Sequence, residues 1–521
     1  MKFPSQLRSL CLIGTLLLAP DALLRAQYTN GQSASTVLGQ SSFTSTTTAT
    51  TQSGFTMSTA TPVPTGGIAV DNISGKVFVV DTVNNRILRF SSASAYASGS
   101  AAEAVIGQSS FTTSTAATTQ TGLSNPVGAT VDSSGTLWVA DQGNRRVLAF
   151  TNAASASSGA AASLVLGQPN FTTSTAGTNQ YTMSGPTAVA VNASGTLFVM
   201  DRGNNRVLRF TNAASDSNGA FADGLFGQSN YLANSTGTTQ STFGSLPWGV
   251  AVDSSNNLWV ADTANNRVLC FTSASTVSTL GPNASIVLGQ SDFTTGTAGA
   301  TSATSIHTPV QLTLDTLNRL YVSDFANNRI LVFEPSTLSN GAAASFVLGQ
   351  SDFTSSSAAN PPTASSLKSP QGLSYSSAGY LWVADAGNNR ALNFALTAGR
   401  PMLSVPASAK VRQGQTKHMT VTLTGTQASD EYTIQVSVPK GTTNKASVQF
   451  YINGVNETSV LKNGGYQTSE ILANGQLPIT VQIKARATAV GTLKFNVTAA
   501  SVTNSSATAS VSSTIKVVVP Q

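Results

Sequence analysis

The sequence predicts an all-β chain: a six-bladed β-propeller whose N-terminal strand closes the last blade, followed by an immunoglobulin-like β-sandwich. Three observations predict it. One ten-residue line recurs six times at an even period, a short apolar run ending in Gly-Gln recurs one step out of phase with it, and after residue 398 both give way to strand-length apolar alternation.

The recurring line reads DTVNNRILRF at 81–90, DQGNRRVLAF at 141–150, DRGNNRVLRF at 201–210, DTANNRVLCF at 262–271, DFANNRILVF at 324–333 and DAGNNRALNF at 385–394. Its arginines, Arg86, Arg146, Arg206, Arg267, Arg329 and Arg390, are spaced by 60, 60, 61, 62 and 61 residues, a regularity that chance does not produce. Before each line comes an apolar strand such as 188–191, a turn at 192–195 and a second strand at 196–200; the Asp-x-x-Asn-x-Arg loop and a third strand follow. The fourth strand is the run that ends at Gln40, Gln108, Gln168, Gln228, Gln290 and Gln350. Four short strands with turns between them make one propeller blade.

With Pro-x-Gly-[Ile/Val]-Ala-Val-Asp and Leu-[Trp/Phe]-Val-[Ala/Met]-Asp, the line resembles the NHL repeat over roughly residues 37 to 394. The resemblance implies a β-propeller of the secreted bacterial type. The chain departs from the usual repeat in its inserts, Ser/Thr-rich segments such as 109–126 that join each Gly-Gln to the next proline. Register also shows how the ring closes. A lone VLGQ stands at 37–40 and none follows Phe394, so residues 37–40 should pair with Ala391 to Phe394 and remove an open edge.

Residues 1–26 carry Lys2 and Arg8, an apolar run from Leu10 to Ala19 and a short tail before Gln27, which reads as a signal peptide cleaved near Ala26. The run is about half of what a membrane span needs. The expected address is the periplasm or the medium, with no membrane span. Residues 27–398 form the expected propeller, and 399–521 the sandwich. In the latter, period-two patterns at 418–424 and 493–498 are separated by the turn signals Pro439-Lys-Gly, Asn453-Gly and Asn474-Gly.

Composition excludes several functions. Losing the leader removes Lys2, Arg8, Arg25 and Asp21, so the formal charge falls from +6 to +4, and most arginines occupy repeat positions instead of one basic face. That is not the footprint of a nucleic-acid binder. Only Cys270 remains, so no intramolecular disulfide forms. The two histidines, His307 and His418, lie in different domains, which rules out a histidine-rich zinc site. Of 21 acidic residues, ten hold repeated turn positions. Asp81, Asp141, Asp201, Asp262, Asp324 and Asp385, each five residues before its arginine, are read as structural: an Asp there can accept from the amides of its own turn, and the Arg is placed to pair with an Asp or with backbone carbonyls, with a repeated ligand-binding role as the alternative. No metal is expected, though calcium could use carboxylates and carbonyl oxygens. No nucleophile, base and orienter come together: His307 has no identifiable partner and Cys270 lies within a strand.

Specificity should then reside where the repeat is broken on the face shared by the inserts and the Asp-x-x-Asn loops. Gln142, Arg202 and Phe325 break it after the loop Asp; Trp248 and Gln371 break it after the proline; His307 precedes Pro309. These six are the candidate ligand-binding residues, with a packing role as the alternative for Trp248 and Phe325 and a solvated surface charge for Arg202. The insert aromatics Phe43, Phe111, Phe171, Tyr231, Phe293 and Phe353 read as packing anchors. The leading expectation is a monomeric, non-catalytic scaffold recognising an extracellular or envelope protein or glycan. The alternatives are a lyase or hydrolase with a calcium-type channel site and a purely structural or adhesive protein.

Overall fold

Continuous apolar runs such as LWVAD and LFVMD, buried on both faces and punctuated by Asn and Gly in left-handed turns, become the strands of a computed structural model. It describes residues 28–57, 66–92 and 97–395, and then 402–404, 408–424, 431–438, 446–463, 465–469, 471, 476–486, 491–501 and 508–518. The leader at 1–26 and the turns at 439–441 and 474–475 lie outside the described residues.

The chain divides into two compact units, one running from Tyr28 to Thr397 and the other containing the residues from Ala398 onward. Among the described residues, the first unit holds six four-stranded antiparallel sheets, the arrangement of a propeller-like fold. The third sheet is representative: Pro186–Val191, Leu197–Asp201, Arg206–Phe210 and Gly224–Phe226 pair in sequence order. Its neighbours repeat this order, and the innermost strands contact one another in a cycle, with Pro370–Ser376 reaching back to Ile68–Val70. The sixth sheet takes its outer strand from the start of the chain: Thr36–Leu38 pairs with Arg390–Ala395 in the register Val37↔Leu392. The pairing expected from the out-of-phase repeat is therefore present.

Between adjacent sheets the apolar faces merge into shared cores. Phe198, Met200 and Phe226 of the third sheet pack with Val260, Leu269 and Phe271 of the fourth, all essentially inaccessible to solvent. Phe226 lies edge-on to Phe271 at 5.4 Å. The insert aromatics Phe111, Phe171, Tyr231, Phe293 and Phe353 pack partly buried against these cores.

Among the described residues, the second unit contains two five-stranded sheets whose inner faces meet in one core, Val421, Phe450 and Val481 from one and Ile434, Phe495 and Val497 from the other. Asn453 and Gly454, at φ of 50° and 81°, make the two-residue turn that Asn-Gly demands. Two features go beyond the alternation pattern: a short helix, Thr458–Asn463, and a parallel pairing of Ser408–Arg412 with Thr508–Val518.

Candidate functional site

The inserts and the Asp-x-x-Asn-x-Arg loops meet on one face of the first unit, held there by a node that recurs in every sheet. Each repeat Asp and Arg is fully buried. The arginine Nε donates to Asp Oδ2 at 2.6–2.8 Å, and the Asn amide of the same loop donates to that oxygen at 2.7–2.9 Å. The other carboxylate oxygen accepts a backbone N–H from Thr56, Ser124, Ser184, Gly244, His307 or Lys368. The remaining guanidinium nitrogens donate to carbonyls of the inserts on either side. Arg206, for example, reaches Asn179 O at 2.9 Å and Thr182 O at 3.0 Å in one insert, and Tyr231 O at 2.7 Å in the next. Burial pushes the carboxyls upward while the guanidinium beside each pulls it back.

A second recurring tie was not recognised from sequence. The residue just before each repeat Arg sits in the left-handed region at φ of 49–54°. In five sheets it is Asn, whose Oδ1 accepts an N–H from the next insert, as Asn205 does from Leu246 at 3.2 Å, while its Nδ2 donates to another insert carbonyl. The signal was the second Asn of the recurring line: Asn tolerates this conformation, so a repeated Asn before Arg marks a turn whose side chain is free to bridge.

At the centre the six innermost strands come close enough to close their own channel. Gly128 and Gly249 make this possible: a Cβ on them would lie 2.4 Å from Thr187 O and 2.3 Å from Val310 O of the adjoining strands. The throat lined by Val127, Trp248, Val310 and Gln371 retains only about 10 Å³. Trp248 fills it, in a buried cluster with Val127, Val310 and Phe325, and its carbonyl accepts from Thr187 Oγ1 at 2.8 Å. Below this plug a cavity of about 210 Å³ opens towards the opposite face, lined by Val70, Thr130, Ala190, Val252 and Tyr375.

The six sequence-selected residues therefore divide. Trp248, Phe325 and Gln371 are buried at 4 %, 7 % and 3 % exposure, as the plug and its surround, and not as walls of an open mouth. Gln142 and Arg202 are half-buried above, and His307 is exposed. Gln142 Oε1 accepts from Asn125 Nδ2 at 2.7 Å. Arg202 lies with its guanidinium carbon 4.8 Å from the centre of the Trp248 ring, and its Nε is buried without a hydrogen-bond partner. That burial pulls its pKa down to about 10. Lys368, exposed in the same register as His307, is a further basic residue that the sequence reading passed over. Among the described residues, no three His, Cys, Asp or Glu side chains converge as metal ligands, and no helix is long and apolar enough to cross a membrane.

The NHL repeat family matches residues 245–271, the stretch that contains Trp248, Asp262 and Arg267. No curated protein matches the chain in sequence. Solved structures similar to it include virginiamycin B lyase from Staphylococcus aureus (15 % identity, 68 % of this chain and 90 % of that one, TM-score 0.35). Two others are a gluconolactonase from Xanthomonas campestris (14 %, 63 % and 84 %, 0.37) and the calcium-binding protein regucalcin from Agrobacterium tumefaciens (11 %, 64 % and 91 %, 0.38). At these identities and scores no ligand or reaction transfers to the present chain.

Proposed function

We propose that the protein is a secreted or periplasmic, non-catalytic binding scaffold that recognises an extracellular or envelope protein or carbohydrate on its insert face. In this reading residues 27–398 are a six-bladed NHL-type propeller and 399–521 an immunoglobulin-like sandwich, with 1–26 removed as a signal peptide. The observation that carries it is the plugged throat. With Trp248 filling the throat, no open channel is left there, and Trp248, Phe325, Gln371 and Arg202, which break the repeat, meet at the plug. Repeated positions are occupied in holding the inserts, so discrimination between ligands falls to the unrepeated ones. A surface of this kind recognises by complementarity over an area and needs no metal ion.

The test is an array of glycans and envelope proteins probed with the full chain, with Arg202→Ala, and with Lys76→Ala as a control on the opposite face, where Lys76 pairs with Glu103 at 2.7 Å. Loss of a ligand with Arg202→Ala but not with Lys76→Ala is expected. Turnover of a lactone or glycosidic substrate by the pure protein, or binding indifferent to the insert-face change, would overturn the reading.

A further inference from the structure

Arg202 stands in a ring position that holds Thr82, Gln142, Thr263, Phe325 and Ala386 in the other sheets. It is the only cation in that ring. The six repeat arginines each have a carboxylate; Arg202 has the face of Trp248 and, among the described residues, no hydrogen-bonding or ionic partner. A guanidinium taken partly out of water without a counter-ion is a standing cost unless an anion arrives to offset it, and contact with an indole face satisfies none of the hydrogen bonds its nitrogens can donate.

The surroundings have the same sign. Lys368 and His307 hold equivalent positions in adjoining sheets, and Arg145 replaces the bridging Asn of the second sheet, its NH1 on Ser174 O at 3.0 Å. The repeat aspartates of this face are each neutralised by their own arginine. Asp292 and Asp352, outside those pairs, sit at the starts of their inserts, occupied by the hydroxyls and amides of their own turns. Glu103, Asp132, Asp216, Asp223 and Glu334 belong to the hairpins and loops of the opposite face. The insert face thus carries Arg145, Arg202 and Lys368 against the exposed carboxylates of Asp292 and Asp352, a small positive balance, and Arg202 is the one set over the packed indole.

We propose that the mouth binds the acidic group of a polysaccharide, a carboxylate or a sulfate ester, with Arg202 as the primary contact and Lys368 as a secondary one; this deepens the binding-scaffold reading and rests on it. A polysaccharide is favoured over an acidic peptide because the throat has no room to take an apolar side chain, whereas Ser and Thr hydroxyls and Asn and Gln amides of the inserts surround the mouth. Arg offers a carboxylate or sulfate two parallel donors, and the neighbouring hydroxyls suit the sugar ring.

The experiment measures binding of polygalacturonate, chondroitin sulfate, dextran and polyglutamate to the full chain by calorimetry at low and moderate salt. Polygalacturonate or chondroitin sulfate should bind and dextran should not. Arg202→Gln should weaken binding roughly tenfold or more, Lys368→Gln by about two- to fivefold, and Lys76→Gln not at all. If Arg202→Gln fails to fold, exposed Lys368 carries the test, because removing its charge should also flatten the salt dependence. Failure of both acidic polysaccharides to bind, equal binding of dextran, preference for polyglutamate, or indifference to both mouth substitutions overturns the proposal. A neutral glycan or a protein bound at the insert face would refute this inference while leaving the binding-scaffold reading intact.

Discussion

Removing one repeat arginine should cost far more than its surface-free position suggests, and Arg206→Met makes the case measurable. Arg206 makes four hydrogen bonds: one to Asp201 at 2.8 Å and three to carbonyls of the two flanking inserts. Methionine fills similar volume but leaves Asp201 buried at 0 % exposure with no counter-charge. Breaking a buried pair from one side costs about 3–5 kcal/mol. With an unfolding entropy near 2.1 cal/mol/K per residue over about 370 residues of this unit, the midpoint should fall by roughly 4–6 °C. Tryptophan fluorescence is the assay, since all four tryptophans, Trp138, Trp248, Trp259 and Trp382, lie in this unit and are buried, so the second unit is silent. Adding Asp201→Asn should recover part of the loss, because no bare charge then remains. A fall below about 1 kcal/mol, or strict additivity of the two changes, would show that the node is a surface-like pair and refute the reasoning.

Deleting residues 34–42 should lower the melting temperature and cause aggregation at micromolar protein, checked by light scattering, because the 391–393 edge that pairs with Thr36–Leu38 is exposed; an unchanged, monomeric melt would count against closure by this strand. The Cys270 thiol, pushed up to about 12 by burial, should resist a disulfide reagent at pH 8 in the native protein and react once unfolded in denaturant. Fast labelling of the folded chain would contradict the burial. Acidic-polysaccharide binding should hold between pH 7 and about 9 and weaken as pH rises through about 10, where Arg202 loses its proton and with it the positive charge, as read by titration across that range. Binding unchanged across that range would count against Arg202 as the primary contact.

Strand pairing was legible in the sequence at the level of segments. The Arg five residues after the Asp was placed to pair with an Asp or with backbone carbonyls, and Arg206 does both, while the displaced VLGQ pointed to the segment around 391–394, where Val37 meets Leu392. Distance across the ring was not. Trp248, Phe325 and Gln371 were picked correctly as departures from the repeat, but whether a departure lines a mouth or fills it depends on how closely six strands approach, which no single repeat encodes. The clue was available in Gly128 and Gly249, whose missing side chains admit a neighbouring backbone. Arg202 showed a similar limit. Sequence marked it as unusual, while its lack of a carboxylate partner emerged only once every nearby acidic group had been assigned. The helix at Thr458–Asn463 breaks an otherwise β-only expectation because a six-residue turn carries too little periodicity to detect.

The joint between Val37 and Leu392 spans 355 residues of chain, and synthesis delivers its two halves at opposite ends of the process. Strand 36–38 emerges with nothing to pair with, and the last sheet is made with one side empty. Each intervening sheet can assemble from sequence-adjacent strands as it appears, but the final stitch must wait for nearly four hundred residues and then close a very long loop. Until it does, two complementary strand edges are open at once, and in a crowded compartment either can find its counterpart on another molecule. The same seam that completes the ring thus sets a window of vulnerability in its biogenesis, and a chaperone that shields the first forty residues would act at the most useful place.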